Sequence, residues 1–321
     1  MRIVILDGFT LGQGRDVWGS IASQGELTIH DRTPADQIVD RLRDAEVALT
    51  NKVPLRQETL DRLPELKYIA VMATGYNIVD IDAARRRGIP VSNVPEYGTD
   101  SVAQMTFALL LELCHHAGDH DRAVKEGAWS ASPDWCFWRH PLIELSGLKM
   151  GIVGFGRIGR KVGEIAHAFG MTVLAASRSK PSTPSYEPFA WKTVPEIFEE
   201  ADVVSLHCPE TPETKGFVTS ALLSRMKKPA FLVNTSRGSL IDEPSLAAAL
   251  NEGVLAGAAL DVVSQEPIRP DNPLLHARNC LLTPHLAWAT EAARRRLIAE
   301  TAGNLAAFQE GCPRNVVNPT R

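Results

Sequence analysis

Short apolar runs rich in Val, Ile and Leu alternate with amphipathic stretches along almost the whole chain, the pattern of parallel α/β structure. In the first hundred residues the runs predict strands at Arg2–Leu6, Glu46–Leu49 and Tyr68–Met72, with a short one near Pro90–Val91. Helical periodicity falls at Ala35–Asp44, Arg56–Leu63 and Asp80–Arg87, and Gly88 stands where a helix would close on a left-handed glycine. From the Thr99-Asp100-Ser101 cap one long helix is expected to run through SVAQMTFALLLELCHHAGDHDRAVKEG. Its middle, Phe107 to Leu113, is apolar on nearly every face, which predicts burial all round, between domains or against a second subunit. The stretch 128–144 carries Trp129, Trp135, Phe137 and Trp138 with no period and reads as an aromatic loop. A second alternating series predicts strands at Lys149–Val153, Thr172–Ala176, Val203–Leu206, Ala230–Val233, Leu255–Leu260 and Cys280–Leu282. A last helix follows from Thr290 to about Gln309, and Val316-Val317 reads as a short returning strand. Ser179–Pro188, dense in proline and serine, is the most loop-like segment.

At 321 residues the chain has room for two compact domains. Its 34 Lys and Arg against 38 Asp and Glu leave a net charge of −4, so no global basic field invites nucleic acid or an anionic membrane. The runs Arg85-Arg86-Arg87 and Arg294-Arg295-Arg296 lie in helical segments and read as solvated faces. Five scattered cysteines without a CxxC pair suggest neither a disulfide framework nor a metal site, and their usage fits a reducing, cytoplasmic compartment. MRIVILDGF carries an apolar run that ends at Asp7, the form of a first strand rather than a signal peptide. No apolar stretch approaches the roughly 20 residues that span a bilayer.

The run Lys149–Val153 leads into Gly154-Phe155-Gly156-Arg157-Ile158-Gly159 and then a helical pattern through Ala168. A bare GxGxxG is common, but one that follows a strand, opens a helix and sits in a βαβ unit of about 30 residues is a dinucleotide fingerprint. Gly154 permits the tight turn, Gly156 the approach of the pyrophosphate and Gly159 close helix–strand packing, while the helix N-terminus offers N–H groups to the phosphates. An acidic residue gripping the ribose hydroxyls is expected about 20 positions on. That position falls on Ser177, followed by Arg178, Ser179 and Lys180. Two cations and two hydroxyls suit a 2′-phosphate that an aspartate would repel, so NADP(H) is favoured and NAD(H) stays open.

Three later segments sit at the carboxyl ends of expected strands, where open parallel sheets bind ligands. They are Val233-Asn234-Thr235-Ser236-Arg237-Gly238, Leu260-Asp261-Val262-Val263-Ser264-Gln265-Glu266-Pro267 and Leu282-Thr283-Pro284-His285-Leu286-Ala287-Trp288. With GFGRIG upstream, ATGYNIVD at Ala73–Asp80 and TDSVAQMTFALLLEL at Thr99–Leu113, they resemble the D-isomer-specific 2-hydroxyacid dehydrogenase family over essentially the whole chain. Within it the likeness is strongest to the glycerate dehydrogenases, also called hydroxypyruvate reductases.

Reducing a 2-keto acid requires a hydride at C2 and a proton at the carbonyl oxygen. Histidine can supply that proton near neutral pH, and His285 takes this role. A carboxylate that orients and stabilises the protonated ring is needed beside it, and Glu266 fits. Arg237 can bind the substrate carboxylate and polarise its carbonyl with a planar two-pronged donor. The resemblance assigns the same three roles to these positions. It further implies that Asp261 contacts the nicotinamide carboxamide, with Thr235, Ser236 and Thr106 along the same coenzyme site. Arg157 and Ile158 would present N–H groups to the pyrophosphate, and Cys208-Pro209 would form a shelf beside adenine. The Thr74-Gly75 backbone, with Tyr76 nearby, would cradle the substrate carboxylate, and Asn51 or Lys52 would border the same mouth or lie on the surface. Trp135 and Trp138 stand either at a substrate pocket or in subunit packing, and both readings favour a homodimer through the helix 101–118 and the loop 128–144.

The implied architecture is two doubly wound α/β domains, with a Rossmann-type coenzyme domain, 101–288, inserted into a discontinuous flavodoxin-like substrate domain, 1–100 with 289–321. The implied reaction is reduction of hydroxypyruvate, and of glyoxylate, by NAD(P)H. Phosphoglycerate, D-lactate, formate and phosphite dehydrogenases share this frame. A different class also stays open, a dinucleotide-sensing corepressor, although the complete Arg–Glu–His set favours catalysis.

Overall fold

The N-terminal apolar run forms β1 (Arg2–Ile5), which pairs in parallel with β2 (Glu26–Ile29) on one side and β3 (Val47–Thr50) on the other. β4 (Tyr68–Val71) and β5 (Val91–Ser92) continue the sheet in the order β2-β1-β3-β4-β5, the flavodoxin-like arrangement. Every residue of β3 and β4 is buried, as expected of central strands covered on both faces. The computed structural model describes residues 1–12, 17–179 and 182–319 and divides into two compact units, Met1–Gly98 with Ala289–Arg321, and Thr99–Trp288. Among the described residues no helix is long and apolar enough to cross a membrane.

In the first unit the helix Ile81–Arg86 starts under an Asp80 cap, whose carboxylate accepts the Ala83 N–H at 2.9 Å, and ends before Gly88 at φ 68°. The helix Glu291–Gln309 belongs to the same unit, and its Phe308 ring stacks on Tyr68 of β4 at 4.4 Å. Val316 closes an antiparallel bridge with Ser92. The arginine run on this helix is not merely a solvated face. Arg294 donates to the Leu11 carbonyl in the short helix Phe9–Gly12 and Arg296 to the Tyr97 carbonyl, so two of the three arginines tie other segments of the chain to this helix. β2 has no counterpart among the expected strands. It is an edge strand with Glu26, Thr28 and Ile29 exposed, so no apolar run marks it.

Among its described residues the second unit holds seven parallel strands: β6 (Lys149–Val153), β7 (Thr172–Ala176), β8 (Phe189–Trp191), β9 (Val203–Leu206), β10 (Phe231–Asn234), β11 (Gly257–Leu260) and β12 (Cys280–Leu282). Their order, β12-β11-β10-β9-β6-β7-β8, is doubly wound, with the direction of winding switching between β6 and β9. One core packs Leu206, Leu232, Leu246 and Leu260, and another packs Phe107, Leu110, Ile152 and Val233. β8 is a second edge strand without a counterpart among the expected strands; it is half-buried throughout and follows directly on the stretch Ser179–Pro188 read as loop.

The long helix breaks where one was expected. Thr99–His115 and Ala117–Lys125 are separate helices because His116 adopts the left-handed conformation, φ 49°, which ends a helix much as a terminal glycine does. Within the single chain the helix Thr99–His115 is buried on one side. Phe107, Leu109, Leu110 and Leu113 are buried, but Gln104, Ala108 and His115 are exposed and Leu111 is half-buried.

Candidate functional site

β6 ends in Val153, and Gly154 turns the chain at φ 101°. A Cβ at Gly154 would stand 2.4 Å from the Cys208 nitrogen, and one at Gly159 would stand 2.2 Å from the Gly154 oxygen. Both positions therefore require glycine for packing. At Gly156 a Cβ would meet nothing within 4 Å, so the loop opens there onto space. The helix Arg157–Ala168 follows directly, and the N–H groups of Ile158 and Gly159 belong to its first turn, beyond the reach of any helical carbonyl. Two glycines that pack the loop and one that leaves it open fit a pyrophosphate lying over a helix N-terminus.

Ser177 follows β7 and is half-buried, whereas Arg178 and Ser179 are exposed; Lys180 lies outside the described residues. Glu213 shares this neighbourhood. Its carboxyl sits below the ordinary range, chiefly through the Thr211 hydroxyl and in smaller part through the Arg178 charge. Cys208 lies after β9, where burial pushes its thiol up to about 11, the behaviour of a packing residue rather than a thiolate nucleophile. Its carbonyl accepts the Ser236 hydroxyl at 2.7 Å, joining the Cys208-Pro209 segment to the loop after β10. Thr235 in that loop is buried and lies 3.1 Å, Oγ1 to Oγ1, from Thr106 of the helix Thr99–His115.

Arg237, Glu266 and His285 leave the ends of β10, β11 and β12, neighbouring strands of one sheet. Arg237 is half-buried, and the buried Asn234 braces its loop by donating Nδ2–H to the Arg237 carbonyl at 2.8 Å and accepting the Ser236 N–H at 3.0 Å. His285 Nδ1 lies 2.6 Å from Glu266 Oε2, which leaves the opposite ring nitrogen for other work. The two side chains are 27% and 36% exposed, enough for a small molecule to reach them. His285 has φ 52°, a left-handed backbone that costs a non-glycine residue on the order of 1–3 kcal/mol.

Asp261 holds that backbone in place. Its carbonyl accepts the His285 N–H at 2.8 Å, and its carboxylate accepts Thr283 Oγ1 at 2.6 Å, Leu286 N–H at 2.9 Å and Ala287 N–H at 2.8 Å. Asp261 is only 1% exposed, and its carboxylate is engaged by the His285 turn. Two further residues escaped the sequence reading. A Cβ at Gly238 would lie 1.9 Å from the Val263 carbonyl carbon, so glycine there lets the Arg237 and Glu266 loops touch. Glu243, 8% exposed, accepts the Ser264 N–H at 2.6 Å. Gly238 was visible as the residue after Arg237; no local signal pointed to Glu243.

In the first unit the expected substrate contacts gather at the carboxyl edge of β1, β3 and β4. The Asp7 carboxylate accepts the N–H groups of Asn51, Lys52 and Val53, and Asn51 Nδ2 donates to the Met72 carbonyl at 2.6 Å. Burial raises the Asp7 carboxyl against the opposing pull of those hydrogen bonds. Asn51 is buried, Lys52 is exposed, and Thr74 and Tyr76 are exposed on either side of the half-buried Gly75. Asn93 Nδ2 donates to the Thr74 carbonyl at 2.7 Å and Thr74 Oγ1 to the Val94 carbonyl at 3.0 Å, fixing this loop.

The stretch 128–144 has no regular element. Trp135 is 86% and Trp138 66% exposed, and the segment is pinned to the helix Ala117–Lys125 through His140 and Asp119 at 3.0 Å.

A doubly wound coenzyme-type unit carrying an arginine and a histidine–carboxylate pair defines a class of nicotinamide-dependent oxidoreductases. Residues 107–287 match the family model described as D-isomer specific 2-hydroxyacid dehydrogenase, NAD binding domain. The chain belongs to this family. It is 47% identical over 321 residues to a hydroxypyruvate reductase of Blautia hydrogenotrophica, covering 99% of this chain and 100% of that one. A glycerate dehydrogenase of Methylorubrum extorquens is 38% identical over 284 residues, 88% of either chain. Among solved structures, the NADPH-dependent glyoxylate/hydroxypyruvate reductase of Sinorhizobium meliloti, in complex with NADP and malonate, superposes with a TM-score of 0.85 at 29% identity, covering 100% of this chain and 98% of that one.

Proposed function

We propose that the protein reduces hydroxypyruvate to D-glycerate, and glyoxylate beside it, with NADPH preferred to NADH. The observation that carries this reading is the His285–Glu266 pair at 2.6 Å, in the same unit as the glycine loop and beyond the ends of β11 and β12, next in the sheet to β10, whose end leads into Arg237. The coenzyme, when bound, supplies the hydride for C2. The chain's own residues do the rest. Arg237 takes the substrate carboxylate and draws electron density toward the carbonyl oxygen. His285 gives that oxygen a proton from its Nε2, and Glu266 accepts the Nδ1–H, orients the ring and stabilises its charged form. In the reverse direction the neutral ring removes the hydroxyl proton.

The Thr74-Gly75 backbone, with Tyr76 nearby, is assigned to the substrate carboxylate and Asn51 or Lys52 to the border of the same mouth, supported by the fixed backbone of this loop and its place at the carboxyl edge of its own sheet. NADPH preference rests on Ser177 in the ribose-gripping position and on the exposed Arg178 after it. A cytoplasmic homodimer completes the proposal, supported by the exposed Trp135 and Trp138 and the uncovered face of the helix Thr99–His115.

The test follows nicotinamide absorbance with hydroxypyruvate, glyoxylate, pyruvate and phosphohydroxypyruvate against NADPH and NADH separately. Fast hydroxypyruvate turnover that falls about 10²- to 10⁴-fold in His285→Ala is expected. Faster turnover of phosphohydroxypyruvate or pyruvate would reassign the substrate, and turnover indifferent to His285 would remove the mechanism.

A further inference from the structure

Glu243 is the first residue of the helix Glu243–Asn251, six positions after Arg237. A carboxylate this deeply buried is costly unless hydrogen-bonded, and its two oxygens take three donors. Oε1 accepts the Ser264 N–H at 2.6 Å; Oε2 accepts the Ser264 hydroxyl at 2.8 Å and Asn272 Nδ2–H at 2.9 Å. All three donors come from the segment that leads out of β11, and Glu266 lies between them. The helix does not need Glu243 for its start, because Asp242 already caps it through the Ser245 N–H and Pro244 occupies its first turn.

The contacts form a continuous line. Glu243 grips Ser264, the Gly238 backbone lies against Val263 and Ser264, the Val263 N–H reaches Glu266 Oε1 at 3.4 Å, and Glu266 Oε2 meets His285 Nδ1. We propose that Glu243 is a positioning residue that ties the Arg237 loop to the Glu266 loop and so keeps Glu266 in register with His285. This rests on the proposed roles of Arg237, Glu266 and His285. The reason for a buried carboxylate here is directional. An apolar side chain would fill the same volume but could not hold Ser264 and Asn272 at fixed angles, and Glu266 would drift with the loop between them.

The deciding experiment is a double-mutant cycle on the full chain, Glu243→Gln and Glu266→Gln singly and together. Glu243→Gln should lower kcat for hydroxypyruvate about 10- to 100-fold, the scale of a misplacement of about 1 Å, while the coenzyme Kd stays at the wild-type value. In the Glu266→Gln background the same change should cost less than about 2-fold, since the pair it positions is already broken. Equal losses in both backgrounds, or no loss in either, would overturn the positioning role. Wild-type turnover in Glu266→Gln would instead sink the acid–base reading on which the proposal rests. A readout without turnover runs alongside: the Nδ1–H proton signal of His285 in ¹⁵N-labelled apoprotein. It should shift in Glu243→Gln and vanish in Glu266→Gln; an unchanged signal in Glu243→Gln counts against the proposal. Should Glu243→Gln fail to fold, Ser264→Ala, which removes one of the three hydrogen bonds, takes its place in the same cycle.

Discussion

Asp261 and His285 face each other across two adjacent strand ends, and Asp261 supports the histidine turn twice, once through its carbonyl at 2.8 Å and once through a carboxylate that caps the next two N–H groups. Asp261→Asn exchanges one of those acceptor oxygens for a donor that faces a buried N–H. A loss of about 2 kcal/mol in unfolding free energy is expected, the range for an unsatisfied buried hydrogen bond. With it kcat should fall more than KM rises, because the left-handed His285 backbone is no longer held. Urea denaturation and steady-state kinetics on one preparation check both, and unchanged kcat at reduced stability would restrict Asp261 to a folding role.

The glycine loop separates packing from ligand approach. Gly159→Ala places a Cβ 2.2 Å from a backbone oxygen, and overpacking of that kind costs about 1–3 kcal/mol. Gly156→Ala meets no atom within 4 Å and should change stability by no more than about 0.5 kcal/mol. Its effect should appear as coenzyme affinity weakened about 10-fold or more, because the methyl group would occupy the pyrophosphate's approach. Thermal unfolding with fluorescence titration of NADPH decides; destabilisation by Gly156→Ala without a change in affinity would contradict the assignment.

The proposed preference for NADPH rests on the residues after β7. Ser177→Asp should move the ratio of kcat/KM for NADPH over NADH toward NADH by at least about 10-fold, through repulsion of the 2′-phosphate and new hydrogen bonds to the ribose. Arg178→Ala should weaken NADPH and leave NADH nearly untouched, most clearly at low salt. A wild-type enzyme that prefers NADH would overturn the NADPH assignment at once.

Acid sensitivity should come in part from His207. Burial pushes its imidazole from 6.5 down to about 3. The folded state then binds fewer protons than the unfolded chain between those values. Its contribution is therefore fully present above about pH 6.5 and is lost as pH falls toward 3, by about 1 kcal/mol per pH unit for one proton. His207→Asn should flatten the decline between pH 6.5 and 5 in urea unfolding, whereas an equally steep decline would show that other groups set it.

What the sequence determined by itself is local in the chain. Runs such as Lys149–Val153 and Val203–Leu206 announce central strands because both faces are buried, and β6 and β9 occupy those residues. Gly154, Gly156 and Gly159 were legible because the phosphate loop needs glycines at set spacings. Arg237, Glu266 and His285 were legible because each follows an apolar strand and has a side chain suited to one part of the chemistry. Features at the margins of packing were silent. β2 and β8 bury too little to carry a pattern, and the break at His116 lies in a helical sequence with no glycine or proline at that point. The supports of the site depended on the tertiary structure altogether. Glu243 reaches Ser264 across 21 residues of sequence and Asp261 reaches Leu286 across 25. A hydrogen bond between distant segments leaves no period in either, and only the pairing of β10, β11 and β12 brings those groups within 3 Å of their partners.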